Sequence, residues 1–130
     1  MFYKEYVTMM IKWITLHVRD LEASKRFYTD YLGLPLRQEF SPRPGMSIAF
    51  LGSEDETQLE LILDTNLQLP AVAPSAASLG IPSSRYASLL EMARETGILA
   101  GEPAIMGGYL ECYFVTDPDG TRIQVIKDAR

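Results

Sequence analysis

The chain is predicted to be an α+β protein of two tandem βαβββ units. Each unit is a curved mixed sheet with one helix packed on it, and the two form a shared cleft. Three observations predict this. Short runs of residues alternate apolar and polar with the period of a half-buried strand. Each half also carries one helical stretch that ends at a glycine. Finally, the second half repeats the first at an offset of 64 residues. That offset places Gly33 on Gly97, Phe50 on Phe114, Asp55 on Asp119, and Gln58 through Ile62 on Arg122 through Ile126.

The elements follow in order. Residues 12–18 alternate Ile14, Leu16 and Val18 with Trp13, Thr15 and His17, which predicts a strand. Asp20 stands where a helix N-cap belongs. Leu21, Ser24, Phe27, Tyr28, Tyr31 and Leu32 recur at helical spacing up to Gly33. Residues 34–40 begin a strand, residues 41–45 make a proline-glycine turn, and residues 46–51 form the next strand. Residues 58–63 alternate again, with Leu59, Leu61 and Leu63 on one face and Gln58, Glu60 and Ile62 on the other.

A proline-bearing loop spans residues 64–76, and then the pattern restarts. Residues 78–82 predict a short strand that Pro82 confines to a strand end or a sheet edge. Ser84 is a second N-cap for a helix over 85–96, closed by Gly97. Residues 109–115 and 122–126 are strands joined by the turn Asp117-Pro118-Asp119-Gly120. One adjustment is required in the second copy. The offset of 64, applied to the first strand, would turn Leu79 and Ile81 away from the helix, so that strand shifts by one residue and Ser78 corresponds to Trp13. The 130 residues thus read as one domain of two repeats, about 11–64 and about 77–127.

Composition excludes several classes. Hydrophobic residues make up 47% and charged residues 22%, enough to bury a core without crosslinks. No run approaches the ~20 apolar residues of a membrane span, so no membrane partner is expected. The apolar N-terminus is broken by Lys4, Glu5 and Lys12 and carries no cleavage site of a secretory leader. A cytoplasmic location is the default expectation. The single cysteine, Cys112, rules out an intrachain disulfide and a cysteine-based zinc site. A net charge of −5 without a basic stripe argues against nucleic acid.

Two segments carry a family resemblance. Residues 14–33, with Val18-Arg19-Asp20-Leu21, Ser24-Lys25-Arg26-Phe27-Tyr28 and Leu32-Gly33, resemble the first strand and helix of the vicinal oxygen chelate superfamily. That superfamily includes glyoxalases, extradiol dioxygenases and bleomycin-resistance proteins. Residues 113–126, around Asp117-Pro118-Asp119-Gly120, resemble its closing hairpin. The resemblance implies four cavity-facing positions that hold a divalent ion in metal-dependent members, usually through His or Gln and Glu. Here those positions are Trp13, Glu60, Ser78 (Ala77 in the unshifted register) and Gln124. An indole nitrogen is a donor only, a serine hydroxyl is a poor ligand and an amide oxygen is a weak one. His17, the only histidine, lies roughly 13 Å along the strand from Trp13 and does not replace it. No metal or other cofactor is therefore expected.

The resemblance implies a homodimer and a small-molecule ligand. It leaves two functions open. One is a binding protein without a competent metal site that sequesters or senses a hydrophobic or aromatic compound. The other is a lyase, isomerase or dioxygenase-like enzyme of the same superfamily with Glu60 as catalytic base, and behind both stands a structural homologue with a filled cavity and an interaction role. Trp13 either stacks on a planar ligand or plugs the space left by an ion. Glu60 is either a ligand-binding carboxylate and base or a group bonded across the cavity. Phe50, Phe114, Tyr113 and Tyr109 belong to the third strands, and Phe50 and Tyr113 join Trp13, His17, Glu60, Ser78 and Gln124 as the expected cavity lining.

Overall fold

A computed structural model describes residues 10–70 and 76–128. The first unit contains β1 (Trp13–His17), α1 (Leu21–Arg26), a π-helical turn (Phe27–Tyr31), β2 (Leu36–Arg43), β3 (Met46–Leu51) and β4 (Gln58–Asp64). The second contains β5 (Ser78–Ser83), α2 (Tyr86–Thr96), β6 (Leu99–Met106), β7 (Leu110–Thr116) and β8 (Arg122–Lys127). The first sheet has the order β1-β4-β3-β2 and the second β5-β8-β7-β6. The first strand of each unit runs parallel to the last, and the other pairs are antiparallel. These are two mixed sheets with the same topology, as the repeat predicts. The proline-bearing loop falls partly on residues 71–75, and the apolar N-terminus with Lys4 and Glu5 falls on residues 1–9. Both stretches lie outside the described residues.

The register resolves the second copy. Trp13 pairs with Gln58 and Ser78 pairs with Arg122, so Trp13 and Ser78 are equivalent and the one-residue shift holds. Leu79 and Ile81 consequently pack against the core, as Ile14 and Leu16 do. Pro82 sits on β5, an edge strand, where its missing N–H leaves no ladder bond unmade.

Asp20 caps α1 by accepting from the Ala23 N–H at 3.0 Å. The helical stretch then widens into the π turn, where the Leu32 N–H reaches back to the Phe27 carbonyl. The extra residue lets Tyr28, Tyr31 and Leu32 all face inward, and all three are buried. Ser84 does not cap the second helix. The Ser83 hydroxyl instead accepts from the Arg85 N–H at 3.0 Å, and α2 starts at Tyr86. Gly97 closes α2 at φ 77°, the left-handed conformation that favours glycine. Residues 98–108 resemble no family motif, yet they supply the edge strand β6.

One core spans both units. It joins Leu59 and Leu61 of the first sheet, Tyr113, Val115, Ile123 and Val125 of the second, and Tyr28, Tyr31, Tyr86 and Leu89 from the helical segments. Polar bonds tie the units together within it and at its margin. The Tyr28 hydroxyl donates to the Asp117 carboxylate at 2.6 Å, and the Tyr31 hydroxyl to the Leu89 carbonyl at 2.6 Å. Arg85 returns a bond to the Tyr31 carbonyl at 2.7 Å, and Arg19 pairs with Asp119 at 3.0 Å. The joint therefore runs through the helices and the β7–β8 turn. The sheet faces that turn away from the helices are left to carry the site. Among the described residues, no helix is long and apolar enough to cross a membrane.

Candidate ligand-binding site

In the first sheet, alternation sends Ile14, Leu16, Leu59 and Leu61 to the helix side. Trp13, Thr15 and His17 of β1 and Gln58 and Glu60 of β4 go to the other face. The pairing sets Glu60 directly between Thr15 on one side and Phe50 on the other. Thr15 Oγ1 donates to Glu60 Oε1 at 2.6 Å. Trp13 meets Phe50 edge to face, with ring centroids 5.6 Å apart and planes at 80°. Phe40 of β2 lies nearly parallel to Phe50 at 6.5 Å. Trp13 is 50% exposed and Phe40 40%, so this aromatic surface is open. His17 lies farther along the same face, opposite Ile62. There a cavity of about 250 Å³ is lined by both residues with Leu67 and Leu69.

The corresponding face of the second sheet carries Ser78 and Gly80 of β5, Arg122 and Gln124 of β8, and Phe114 of β7. The Gln124 amide donates to Cys112 Sγ at 3.1 Å. The Arg122 guanidinium lies over the Phe114 ring, 4.4 Å from its centroid. Ser78 is exposed.

Trp13, Glu60 and Phe50 thus come together on one sheet, with His17 at its far end. Gln124 and Ser78 belong to the other sheet. The units also share a cleft of about 430 Å³, lined by Ile11, Leu34, Leu51, Leu79, Ile81 and Ser78 among others. Of the expected site residues it takes in Ser78, and Glu60 and Gln124 do not line it. Tyr113 is not cavity lining. It is fully buried on the helix side, where its hydroxyl donates to the Tyr86 carbonyl at 3.3 Å. Alternation gives the open face to its neighbour Phe114, the repeat partner of Phe50. Sequence reasoning missed Thr15 and Phe40, and it named Phe114 among the third-strand aromatics without choosing it for the cavity. Thr15 was legible from its place between Trp13 and His17. Phe114 was legible from the offset of 64. Phe40 carried no signal, because β2 is exposed along its whole length.

The four positions that the resemblance assigns to a metal do not fit one. Glu60 is a sound ligand, Gln124 a weak neutral one, and neither an indole nor a serine hydroxyl completes a set. Catalytic zinc sites use three protein ligands. Among the described residues, no three His, Cys, Asp or Glu side chains cluster in a way that could hold an ion.

Two tandem βαβββ units of this topology define a protein of the vicinal oxygen chelate type. The chain belongs to the Glyoxalase/Bleomycin resistance protein/Dioxygenase superfamily, whose sequence profile matches residues 10–125. It is 31% identical over 122 residues to a lactoylglutathione lyase of Salmonella typhimurium, covering 88% of this chain and 90% of that one. It also shares its fold with glyoxalase I from Zea mays, at a TM-score of 0.77 and 24% identity; that match covers 92% of this chain and 45% of the maize chain. TnmS3, an antibiotic binding protein from Streptomyces sp. CB03234, has the fold at a TM-score of 0.68 and 20% identity, with 95% of this chain and 100% of that one covered.

Proposed function

We propose that this protein binds a hydrophobic or aromatic small molecule, sequestering or sensing it without the help of a metal ion. The observation that carries this reading is the open aromatic surface of Trp13, Phe50 and Phe40, with Glu60 the cross-strand neighbour of Phe50. Large aromatic side chains with few polar groups are the usual lining of ligand sites. The fold serves both an antibiotic binding protein and a glyoxalase, so it favours neither function, and the reading rests on the side chains. The donor set at Trp13, Glu60, Ser78 and Gln124 supports independence from metal. We further propose a homodimer as the working form. The edge strands β2 and β6 are each paired on one side only among the described residues, and Phe40, Ile105 and Met106 stand exposed on them.

A thermal-shift screen against a library of aromatic and hydrophobic compounds tests this reading. A specific ligand at a hundred times its Kd raises stability by about 2.7 kcal/mol. A flat response across the library would count against it.

The similarity to lactoylglutathione lyases favours a second reading, a lyase, isomerase or dioxygenase-like enzyme. In that case Glu60 is the base. Thr15 holds one carboxylate oxygen, which leaves Oε2 to take a proton from the substrate. Loss of any such turnover in Glu60→Gln is the expected result, and retained turnover would remove Glu60 from the mechanism.

A further inference from the structure

The two halves of the chain are copies, so each serves as a template for the other. In the second unit, Phe114 has a cation over its ring, the Arg122 guanidinium at 4.4 Å. In the first unit the equivalent ring is Phe50, and the residue equivalent to Arg122 is Gln58, which is neutral. The first unit therefore keeps the aromatic ring and lacks the internal cation.

Its surroundings favour positive charge more strongly than those of Phe114. Glu60 is the direct cross-strand neighbour of Phe50, where the second unit has the uncharged Gln124. Among the described residues Glu60 forms no ion pair, and its recorded partner is the Thr15 hydroxyl. Other carboxylates nearby are matched or outnumber their partners. Asp64 pairs with Arg43 at 2.7 Å. A cavity of about 390 Å³ beside Trp13 and Phe50 is lined by Glu54, Asp55 and Glu56 against Lys12 and Arg37. Aromatic faces carry negative partial charge, so a carboxylate beside Phe50 is ill matched to the ring and is relieved by a cation placed between them. An inorganic ion would need further ligands that the face does not offer. A nitrogen cation carried on apolar groups needs only the rings and one carboxylate.

We propose that the first unit binds an organic cation, a quaternary or protonated nitrogen on an aromatic or alkyl body, over Phe50 and beside Glu60. This is the seat that Arg122 fills from within in the second unit. The proposal rests on the reading that this face binds a small molecule, and it names the chemical class of that ligand.

The test uses N-methylquinolinium and its uncharged counterpart quinoline, above neutral pH, on the full chain. Binding is read from the NMR shift of the Trp13 indole N–H, a single signal because the chain has one tryptophan. The cation is expected to bind at least ~3-fold more tightly than quinoline, the size of a cation–π contact on an open face. Gln58→Arg supplies the missing internal cation and should weaken N-methylquinolinium binding by ~3-fold or more. Glu60→Gln, which preserves the bond from Thr15, should reduce the preference for charge to what the rings alone supply. Backbone spectra of both variants establish that they are folded, and either variant alone suffices. Equal affinity for the two probes, or undiminished cation binding in folded Gln58→Arg, would overturn the proposal. If neither probe moves Trp13 while compounds of the library do, the cation class is wrong and the binding reading stands. If the library also leaves Trp13 unmoved, both fall.

Discussion

The Tyr28 hydroxyl, on the π turn of the first unit, donates to Asp117 Oδ2 in the closing turn of the second at 2.6 Å. Both side chains are buried, and Asp117 also accepts from the Asp119 and Thr121 N–H groups at 2.9 and 2.8 Å. A buried carboxylate stripped of one donor bears its desolvation cost. Tyr28→Phe is therefore expected to destabilise the protein by about 1–3 kcal/mol. Urea unfolding measures this, and a change within ~0.5 kcal/mol would show that the bond does not fasten the two units.

Tyr86 is the contrasting case. Among the described residues its buried hydroxyl makes no hydrogen bond of normal geometry, although the Glu111 carboxylate stands near enough to act on it, while its ring packs edge to face on Tyr113 at 4.9 Å. Removing an unsatisfied polar atom and keeping the ring costs nothing. Tyr86→Phe is expected to leave stability unchanged or to raise it by up to ~1 kcal/mol, again by urea unfolding. A loss comparable with that of Tyr28→Phe would refute this reading of the core.

Alkali should unfold the protein in a defined window. Burial raises the phenol of Tyr28, with the Asp117 charge adding to it, and burial likewise raises Tyr113 and pushes Tyr86 up to about 12. The unfolded chain releases these protons near the ordinary value of 10.0, before the folded chain does. Their contribution is thus fully present below pH ~10 and is lost as pH rises toward the folded values. Ultraviolet titration of the tyrosines is expected to show a late fraction that ionises together with the loss of the circular-dichroism signal. Ionisation of every tyrosine near the ordinary value, with the fold intact, would contradict it.

How far the site was legible in the sequence varies with the kind of signal. Strand alternation placed Ile14, Leu16, Leu59 and Leu61 inward and Trp13 and Glu60 outward, because burial on one face leaves a period-two mark. The same rule corrected the register at Leu79 and Ile81. Tyr113 and Phe114 were harder, since β7 is covered on both faces over Cys112 and Tyr113 and adjacent aromatics erase the contrast. Edge strands were harder still. β2 and β6 pair on one side only and are largely exposed, so apolar patterning scarcely marks Phe40 or residues 98–108. The Thr15–Glu60 bond depends on two strands 45 residues apart in sequence being neighbours, which only the fold supplies.

If the site lost its ion through its side chains and not through its backbone, restoring ligands should restore binding. Trp13→His, Ser78→His and Gln124→Glu together supply two imidazoles and a carboxylate alongside Glu60. The triple variant is expected to take up zinc or nickel in calorimetry, and each single variant is expected to bind little. A triple variant that folds and binds no metal would show that the four positions are not brought together in the working assembly.

The most direct test of the account is the metal content of the protein itself. Purified chain is incubated with nickel, cobalt and zinc salts, freed of unbound ions by gel filtration and analysed for metal. The account predicts far less than one ion per chain, unaffected by Glu60→Gln, because Trp13, Ser78 and Gln124 do not complete a ligand set. One ion retained per chain, and lost in Glu60→Gln, would contradict it.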